Sequence, residues 1–356
     1  MQVLFISQQL RNESNILNGG DVCSKTLYES FCFSVGKENV KLISIPEEKK
    51  VYKRYIDYLF LRNMYTRKQE SQIVREINES KYDVIVLDGS WFGRILKKIS
   101  DRKRVILFLH NIEIDYSKQR FKKNFFTIFK LRSVLLNEKT AICYSNYIFT
   151  LNNRDQDLLK KYYNRKADLL LPIVIEDTYS GINRNLNIKN EYGKFLLFVG
   201  SYFAPNIEGI KWFIENVMPN VNRKLLIVGK NMERLKFLET SNVKILGTVD
   251  DLEELYIKAE AVVIPIFSGG GMKVKTAEAM MYGKKIYATE EALTGYDIQN
   301  MSYIIECNTA EQFIENINKN VENDYYHPEV RERFLEKYEK KNRDLAVKEF
   351  LQNKFR

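Results

Sequence analysis

Short apolar runs rich in Val, Ile, Leu and Phe alternate along the chain with longer amphipathic segments. Such runs predict strands buried on both faces of a parallel sheet, and the segments between them predict helices. In the first half the predicted strands are 2–7, 40–45, 83–87, 104–109 and 147–151. The predicted helices of this half are 22–33, about 52–80, 92–99, 118–138 and 154–163.

A polar, Asn-rich segment that contains Gly181 and Gly193 interrupts the alternation, which then resumes. The second set of predicted strands is 195–199, 224–228, 243–246, 261–266 and 285–288. Helices are predicted at 206–217, 252–258 and 273–282, and the residues from 328 onward predict one long terminal helix or two. The pattern indicates an α/β protein with two doubly wound, Rossmann-like domains in series, residues 1–176 and 194–327, joined by a linker at 177–193.

A glycine loop, residues 268–273 with the sequence Ser-Gly-Gly-Gly-Met-Lys, connects the predicted strand 261–266 to the next helix. Free N–H groups at such a helix start, at the positive end of the helix dipole, bind phosphate. Lys273 and Lys275 add cations to the loop, although both are equally compatible with solvent-facing helix positions. Glu278 shares a helix face with Lys275, where a carboxylate suits the hydroxyl groups of a ribose.

Other glycines follow the neighbouring strands of the second half. Gly200 and Ser201 end the first of these strands, Gly229 and Lys230 end the second, and Gly247 with Thr248 and Val249 follows the third. Glycine lets a ligand approach the backbone closely. Because carboxyl ends of parallel strands share one sheet edge, the pattern predicts a nucleotide site there.

Composition narrows the class of protein further. The 356 residues carry a net charge of +10, with much of the excess in the first half. Residues 118–132 mix basic and aromatic side chains, which is typical either of a helix on an anionic membrane or of an ordinary surface helix. The four scattered cysteines form no Cys-x-x-Cys pair, and with two histidines they predict no metal site. The scattered cysteines favour reduced thiols in a cytoplasm, and the N-terminus predicts a first strand rather than a signal peptide.

The segments 198–213 and 225–230, together with the glycine loop and its helix through Gly283, resemble the donor-binding half of the retaining family 4 glycosyltransferases. The resemblance implies the GT-B architecture, a nucleotide-sugar donor linked to UDP or GDP, and no metal or other cofactor. It also implies that the terminal segment 328–356 packs back on the N-terminal domain.

The same resemblance implies roles for single residues. Glu278 matches the family glutamate that contacts the nucleotide ribose, whereas Gly270 stands where many relatives have an acid near the donor sugar. Ser201 and Asn206 replace the usual basic residues on the pyrophosphate. We therefore expect Lys273 and Lys275, with the backbone N–H groups of residues 271–274 (Gly271, Met272, Lys273 and Val274), to neutralise the diphosphate.

Residues of the first half of the chain are expected to form the other side of the site. Gly19 and Gly20 are expected in a loop after the first strand, which in this family lies near the donor phosphate and the acceptor. His110 follows the strand 104–109, and in relatives a histidine at this position contacts the donor sugar; otherwise it satisfies the loop backbone. Acceptor contacts are expected from four further residues, with Trp91 equally suited to core packing: Asp88, Trp91, Asn111 and Glu113.

These observations predict a retaining hexosyltransferase that uses a saccharide or lipid-linked saccharide acceptor, in polysaccharide or glycolipid synthesis, with possible contact to the inner membrane face. One alternative is a nucleotide-sugar epimerase of the same fold, which would need acid and base carboxylates near the sugar. The other is a non-catalytic nucleic-acid binder, suggested by the charge; the dispersed bases and the absence of a recognition motif argue against it.

Overall fold

The computed structural model describes residues 1–8, 10, 19–45, 60–62, 65–99, 104–120, 125–181, 192–319 and 325–355. These residues form two compact units. Unit 1 holds the described residues up to Pro172, except Gly19, together with residues from Arg343 onward, and unit 2 holds Gly19 and residues 173–342. Each unit is built around its own six-stranded, all-parallel sheet with helices between the strands. The predicted α/β class is confirmed.

In unit 1 the strand order is β2-β1-β3-β4-β5-β6. The strands are β1 (Val3–Ser7), β2 (Val40–Ser44), β3 (Val84–Asp88), β4 (Arg104–Leu109), β5 (Tyr147–Thr150) and β6 (Leu169–Leu170). The helices are α1 (Gly19–Val35), α2 (Arg67–Glu79), α3 (Gly93–Leu96), α4 (Glu113–Arg120), α5 (Phe125–Tyr144) and α6 (Asn153–Tyr163). Strands β1 and β3 are buried along their whole length, as their continuous apolar sequences predict.

In unit 2 the strand order is β12-β11-β10-β7-β8-β9. The strands are β7 (Phe195–Val199), β8 (Lys224–Val228), β9 (Val243–Gly247), β10 (Ala261–Ile264), β11 (Lys285–Ala288) and β12 (Ile304–Glu306). The helices are α7 (Ala204–Asn216), α8 (Glu253–Lys258), α9 (Val274–Met281), α10 (Glu290–Leu293), α11 (Ala310–Lys319) and α12 (Pro328–Lys337), followed by α13 (Lys340–Lys354).

Each sheet has one point at which the chain reverses the direction in which it adds strands. In unit 1 this switch point lies between β1 and β3, and in unit 2 it lies between β7 and β10. Ligands of open α/β sheets bind outside the carboxyl ends of the strands at such a point. Ser7 and Asp88 are register partners at the first, and the glycine loop follows β10 at the second.

The close approach of α7 to the backbone after β10 depends on one glycine. A Cβ on Gly209 would lie 1.8 Å from the carbonyl oxygen of Pro265, which no side chain can tolerate. Gly209 therefore sets the helix against the strand end that carries the glycine loop.

Several predicted boundaries differ from the structure. Helix 92–99 is instead a 3₁₀ turn, Ser90–Phe92, followed by the four-residue α3. Parts of the helices predicted at 52–80 and 118–138, of the linker and of the segment 118–132 lie outside the described residues. The short elements β6, β12 and α10 were not predicted, because runs this brief carry little periodicity. The ten-residue helix α11 was also not predicted, although its buried residues Phe313 and Ile317 have helical spacing.

The terminal segment was predicted to pack as a whole on the first domain, and this was wrong for its first part. Helix α12 belongs to unit 2, where Arg331 donates to the carbonyl oxygen of Met281 at 2.9 Å and pairs with Asp177. Only the residues from Arg343 onward belong to unit 1. The division after Pro172 and the bond to Asp177 also place the start of the predicted linker within unit 2.

No helix among the described residues is both long and apolar enough to cross a membrane.

Candidate functional site

The glycine loop of unit 2 is shaped by backbone conformations that favour glycine. Gly269 has φ of 145° and Gly271 has φ of 60°, both in the left-handed half of conformational space. Lys273 precedes α9 as its N-cap residue, and Val274 is the first residue of the helix. The loop therefore delivers the start of a helix to the switch point of this sheet, the arrangement that binds phosphate.

Lys275 points from α9 toward the end of β7. Its Nζ donates to Asn206 Oδ1 at 2.6 Å and lies 4.5 Å from the centre of the Phe198 ring. A Cβ on Gly200 would lie 2.9 Å from this Nζ. The ammonium group thus occupies the switch point, beside the residue that stands where relatives have a lysine.

The surroundings of Lys275 change its ionisation. Burial lowers the pKa of Lys275, Glu278 acts in the opposite direction, and Lys273 lowers it further, to a net value of about 7. A dianionic diphosphate beside the amine favours the charged form. Lys275 is therefore suited to take up a proton when an anion binds.

Lys273 has a different environment. Its Nζ forms an ion pair with Glu291 of α10 at 2.7 Å and donates to the carbonyl oxygens of Gly270 and Gly271 at 3.3 Å each. The Tyr296 hydroxyl binds the Lys273 carbonyl at 2.6 Å. Lys273 therefore fixes the shape of the glycine loop, and much of its charge is already balanced by Glu291.

Glu278 lies on the same helix, and its carboxylate is oriented by a tyrosine. The buried Tyr256 hydroxyl donates to Glu278 Oε2 at 3.2 Å. Burial raises the pKa of Glu278, while Tyr256 and Lys275 oppose that rise. Oε1 has no hydrogen-bond partner in the described part of the chain, which leaves it available to a ligand hydroxyl.

The other predicted donor residues lie along the same edge. Gly229 has φ of 142°, and a Cβ there would lie 2.1 Å from the Gly200 carbonyl oxygen, so these two strand ends touch through their backbones. The Asn206 amide also donates to the Ser201 carbonyl at 2.8 Å. The remaining residues differ in exposure: Lys230 and Thr248 are exposed, Val249 is half-buried, and Met272 is buried with its sulfur beside the Ile173 N–H.

In unit 1 the predicted residues gather around His110. Its Nε2 lies 2.6 Å from Asp88 Oδ1, and Ser7 donates to the other Asp88 oxygen at 2.5 Å. Trp91 stacks parallel to the His110 ring with 6.4 Å between ring centres. Burial lowers the pKa of His110, but the Asp88 charge and hydrogen bond outweigh burial and raise it to about 10. His110 is therefore a fixed cation.

Asp88 was predicted to contact the acceptor, but the structure buries it completely as the partner of His110 and Ser7. Burial raises the pKa of Asp88, and His110 reverses this so that the net shift is downward. Asn111 is half-buried beside His110. Gly19 and Gly20 are the first residues of α1, rather than part of a loop as predicted; residues 11–18 lie outside the described chain.

Glu113 opens α4 beside a second carboxylate, Glu138, which accepts bonds from the Glu113 and Ile114 N–H groups. Burial and the Glu138 charge raise the pKa of Glu113 to about 7, and the positive charge of His110 opposes the rise. Glu138 therefore caps the helix, while Glu113 is a carboxyl group that titrates near neutral pH.

Sequence reasoning missed the residues that orient these groups. They are Ser7, Cys23, Ser24, Glu138, Tyr256, Glu291 and Arg343. Only Ser7, a polar residue at a strand end, carried a local signal. In the described residues no group of three or more His, Cys, Asp or Glu could hold a metal ion. A separate recess of about 430 Å³ lies where β8 and β9 begin, opposite the glycine-loop edge.

The two doubly wound units define the GT-B glycosyltransferase fold. Among the solved structures that match it over almost the whole chain are the following two. Sucrose-phosphate synthase from Thermosynechococcus elongatus has a TM-score of 0.74 and 14% identity, covering 100% of this chain and 99% of that one. HepE from Anabaena, in complex with UDP and glucose, has a TM-score of 0.67 and 13% identity, covering 99% of each chain.

Sequence comparisons agree with this fold. Residues 193–323 match the family model described as "Glycosyl transferases group 1". A Klebsiella pneumoniae protein named "Uncharacterized 44.6 kDa protein in cps region" is 25% identical over 276 residues, covering 68% of this chain and 67% of that protein. The lipopolysaccharide outer core galactosyltransferase WaaB, in its apo form, has a TM-score of 0.61 and 12% identity over 99% of this chain and all of that one.

Proposed function

We propose that this protein is a retaining, metal-independent glycosyltransferase that moves a hexose-type sugar from a UDP- or GDP-sugar to a saccharide acceptor. The observation that carries the proposal is the position of Lys275 Nζ. It lies at the switch point of unit 2, 2.6 Å from Asn206 Oδ1 and beside Gly200, next to the start of α9. An amine and a helix N-terminus together suit a diphosphate.

The donor is held by three parts of unit 2. Lys275 and the N–H groups at the start of α9 bind the diphosphate, and Glu278 Oε1 accepts from a ribose hydroxyl. The base lies against the backbone near Gly229 and Gly247. The similar HepE structure holds UDP, so uridine diphosphate donors are the first to test.

Transfer with retention requires the new bond to form on the face that the nucleotide leaves. The C1–O bond to the diphosphate breaks, the acceptor oxygen bonds to C1, and the departing phosphate oxygen takes the acceptor proton. A double displacement would need a carboxylate beside C1, and Gly270 stands where relatives place an acid. Electrostatic stabilisation of the leaving diphosphate by Lys275 then supplies the main assistance.

Unit 1 contributes the acceptor side. His110, held charged by Asp88, stabilises negative charge that develops during transfer, and Glu113 with Asn111 and Trp91 orients the acceptor. A polysaccharide or lipid-linked acceptor is supported by the names of the K. pneumoniae relative and of WaaB. The excess of basic residues in the first half supports work at the inner face of an anionic membrane.

The test begins with a thermal-shift panel of nucleotides and nucleotide sugars, followed by turnover with saccharide acceptors in the presence of EDTA. The stabilising donor should be consumed without added metal, and NMR of the product should show the anomeric configuration of the donor retained. Inverted product would contradict the mechanism. Stabilisation by no nucleotide or nucleotide sugar would contradict the proposed function.

The donor identified by this panel also distinguishes the proposed transferase from the alternative epimerase. Incubation of the best donor without acceptor should leave its sugar unchanged by NMR, whereas accumulation of an epimer would establish the other activity. Lys273→Ala and Lys275→Ala variants complete the test. Loss of donor turnover in the Lys275 variant is expected, and wild-type turnover in both variants would refute the assignment of the diphosphate site.

A further inference from the structure

A buried thiol lies beneath His110 in unit 1. Cys23, on α1, is 1% exposed, and the charge of the nearby His110 acts on its thiol. On its other side, both terminal nitrogens of the Arg343 guanidinium lie 3.8 Å from Cys23 Sγ. Arg343 is itself only 2% exposed. The thiol is thus enclosed between an imidazole and a guanidinium group.

The remaining bonds of Arg343 go to neutral groups. Its nitrogens donate to the carbonyl oxygens of Cys23, Leu171 and Pro172 and to Thr26 Oγ1, and its Nε has no hydrogen-bond partner in the described part of the chain. A buried guanidinium without an anionic partner is costly. Among the described residues to which Arg343 is hydrogen-bonded, the Cys23 thiol is the group that can become an anion.

The charge balance around His110 leads to the same group. Asp88 is the buried carboxylate of the cluster, and its two oxygens are bound by His110 and Ser7. Asp344, which follows Arg343 in α13, is bound to Ser30 at 2.6 Å. Asp88 and Glu113, whose raised pKa keeps it partly protonated at neutral pH, therefore face two cations, and ionisation of Cys23 would bring the cluster closer to neutrality.

We propose that Cys23 is a thiolate held by Arg343 and His110, and that it acts with Asp88 as a positioning residue that keeps the His110 ring charged and fixed. Asp88 holds the ring through Nε2, and Cys23 on α1 favours the charged imidazole through its own charge. Thiolates form where cationic side chains surround the sulfur. In this cluster burial raises the pKa of the thiol, and Arg343 and His110 together lower it below its usual value.

The thiolate can be measured directly by its ultraviolet absorbance near 240 nm. In a Cys32→Ser/Cys143→Ser/Cys307→Ser variant, Cys23 is the sole cysteine, since the chain has four. The band should be present at pH 7 and decline only on acidification. A band that first develops near pH 8.5, as for an ordinary thiol, would overturn the proposal. This measurement requires no substitution at the buried site.

The effect on His110 can be measured by imidazole NMR, because the chain has only two histidines and His327 serves as the internal reference. Cys23→Ala and Cys23→Ser should each lower the pKa of His110 by about one unit or more. Serine matches the size of cysteine but stays neutral. Cys32→Ser, on the same helix, should leave His110 unchanged. An unshifted His110 in both Cys23 variants would refute the positioning role.

The kinetic consequence rests on the proposed transferase function, whereas the two spectroscopic readouts do not. Cys23→Ser should move the alkaline limb of kcat that reports loss of the His110 charge down by about one pH unit, while KM for the nucleotide sugar stays within about two-fold. Cys32→Ser should keep the wild-type kcat. A Cys23→Ser enzyme with an unshifted alkaline limb would overturn the catalytic part, and absence of turnover in the wild type would instead reject the proposed function.

Discussion

Replacement of Lys275 by Met tests the diphosphate site most directly. The substitution keeps the length of the side chain but removes the amine that donates to Asn206 Oδ1 at 2.6 Å. A hydrogen bond to a charged group contributes about 1.5–3 kcal/mol. We therefore expect Kd for the preferred nucleotide sugar to rise about 10- to 150-fold.

The pH dependence of Kd for the donor tests the role of Lys275 in a second, independent way. Burial, the largest cause, and Lys273 lower the pKa of Lys275 against Glu278, to about 7, and the bound diphosphate favours the protonated amine. Binding then takes up a proton and weakens as pH rises through the free-state pKa. Between pH 6 and pH 8, Kd should rise about ten-fold, or about 1.4 kcal/mol.

Isothermal titration calorimetry measures both effects. At pH 7, titrations in buffers of different ionisation enthalpy should show uptake of about half a proton per donor by the wild type, because about half of Lys275 is then neutral. Lys275→Met should show almost none. Lys319→Met, on the exposed face of α11, is the matched control. A pH-independent Kd in the wild type would refute the reasoning.

Three further predictions concern neighbouring features. Tyr256→Phe removes the hydroxyl that orients Glu278 and should raise the donor KM about three- to ten-fold, measured by initial rates, without lowering kcat. Glu113→Gln should flatten the pH dependence of stability measured by urea unfolding. The raised pKa of about 7 means that the wild type loses roughly 1–3 kcal/mol as pH rises from 4.5 through 7. Gly229→Ala would place a Cβ 2.1 Å from the Gly200 carbonyl oxygen, and donor-induced thermal stabilisation should disappear.

The sequence predicted the parts of the site that depend on local pattern. The glycine loop, Glu278 and the strand-end glycines all follow from a strand, a turn and a helix within a few dozen residues, and the structure brings them to one sheet edge. The sequence proposed Lys273 and Lys275 together, and their contacts with Glu291 and Asn206 distinguish them. These predictions succeed because parallel α/β units place strand ends predictably.

The partners of these groups could not be predicted, because tertiary packing chooses them. Glu291 is 18 residues from Lys273, and Tyr256 is 22 from Glu278. Arg343 contacts Cys23 across 320 residues of sequence. No periodicity connects such positions. The sequence could therefore name the charged groups, but not which are already neutralised by another group.

That distinction separates the two cations at the switch points. Lys275 has no carboxylate within hydrogen-bond distance in the described residues, so burial lowers its pKa, and its charge depends on the presence of an anion. His110 is bonded to Asp88 at 2.6 Å, and its charge persists to about pH 10. If both serve transfer, the alkaline limb of kcat/KM near neutral pH must come from Lys275 or Glu113 and not from His110. Measuring kcat/KM with the donor varied, and then with the acceptor varied, identifies which substrate the limb depends on. If it depends on the donor, Lys275→Met should abolish it. If it depends on the acceptor, Glu113→Gln should abolish it.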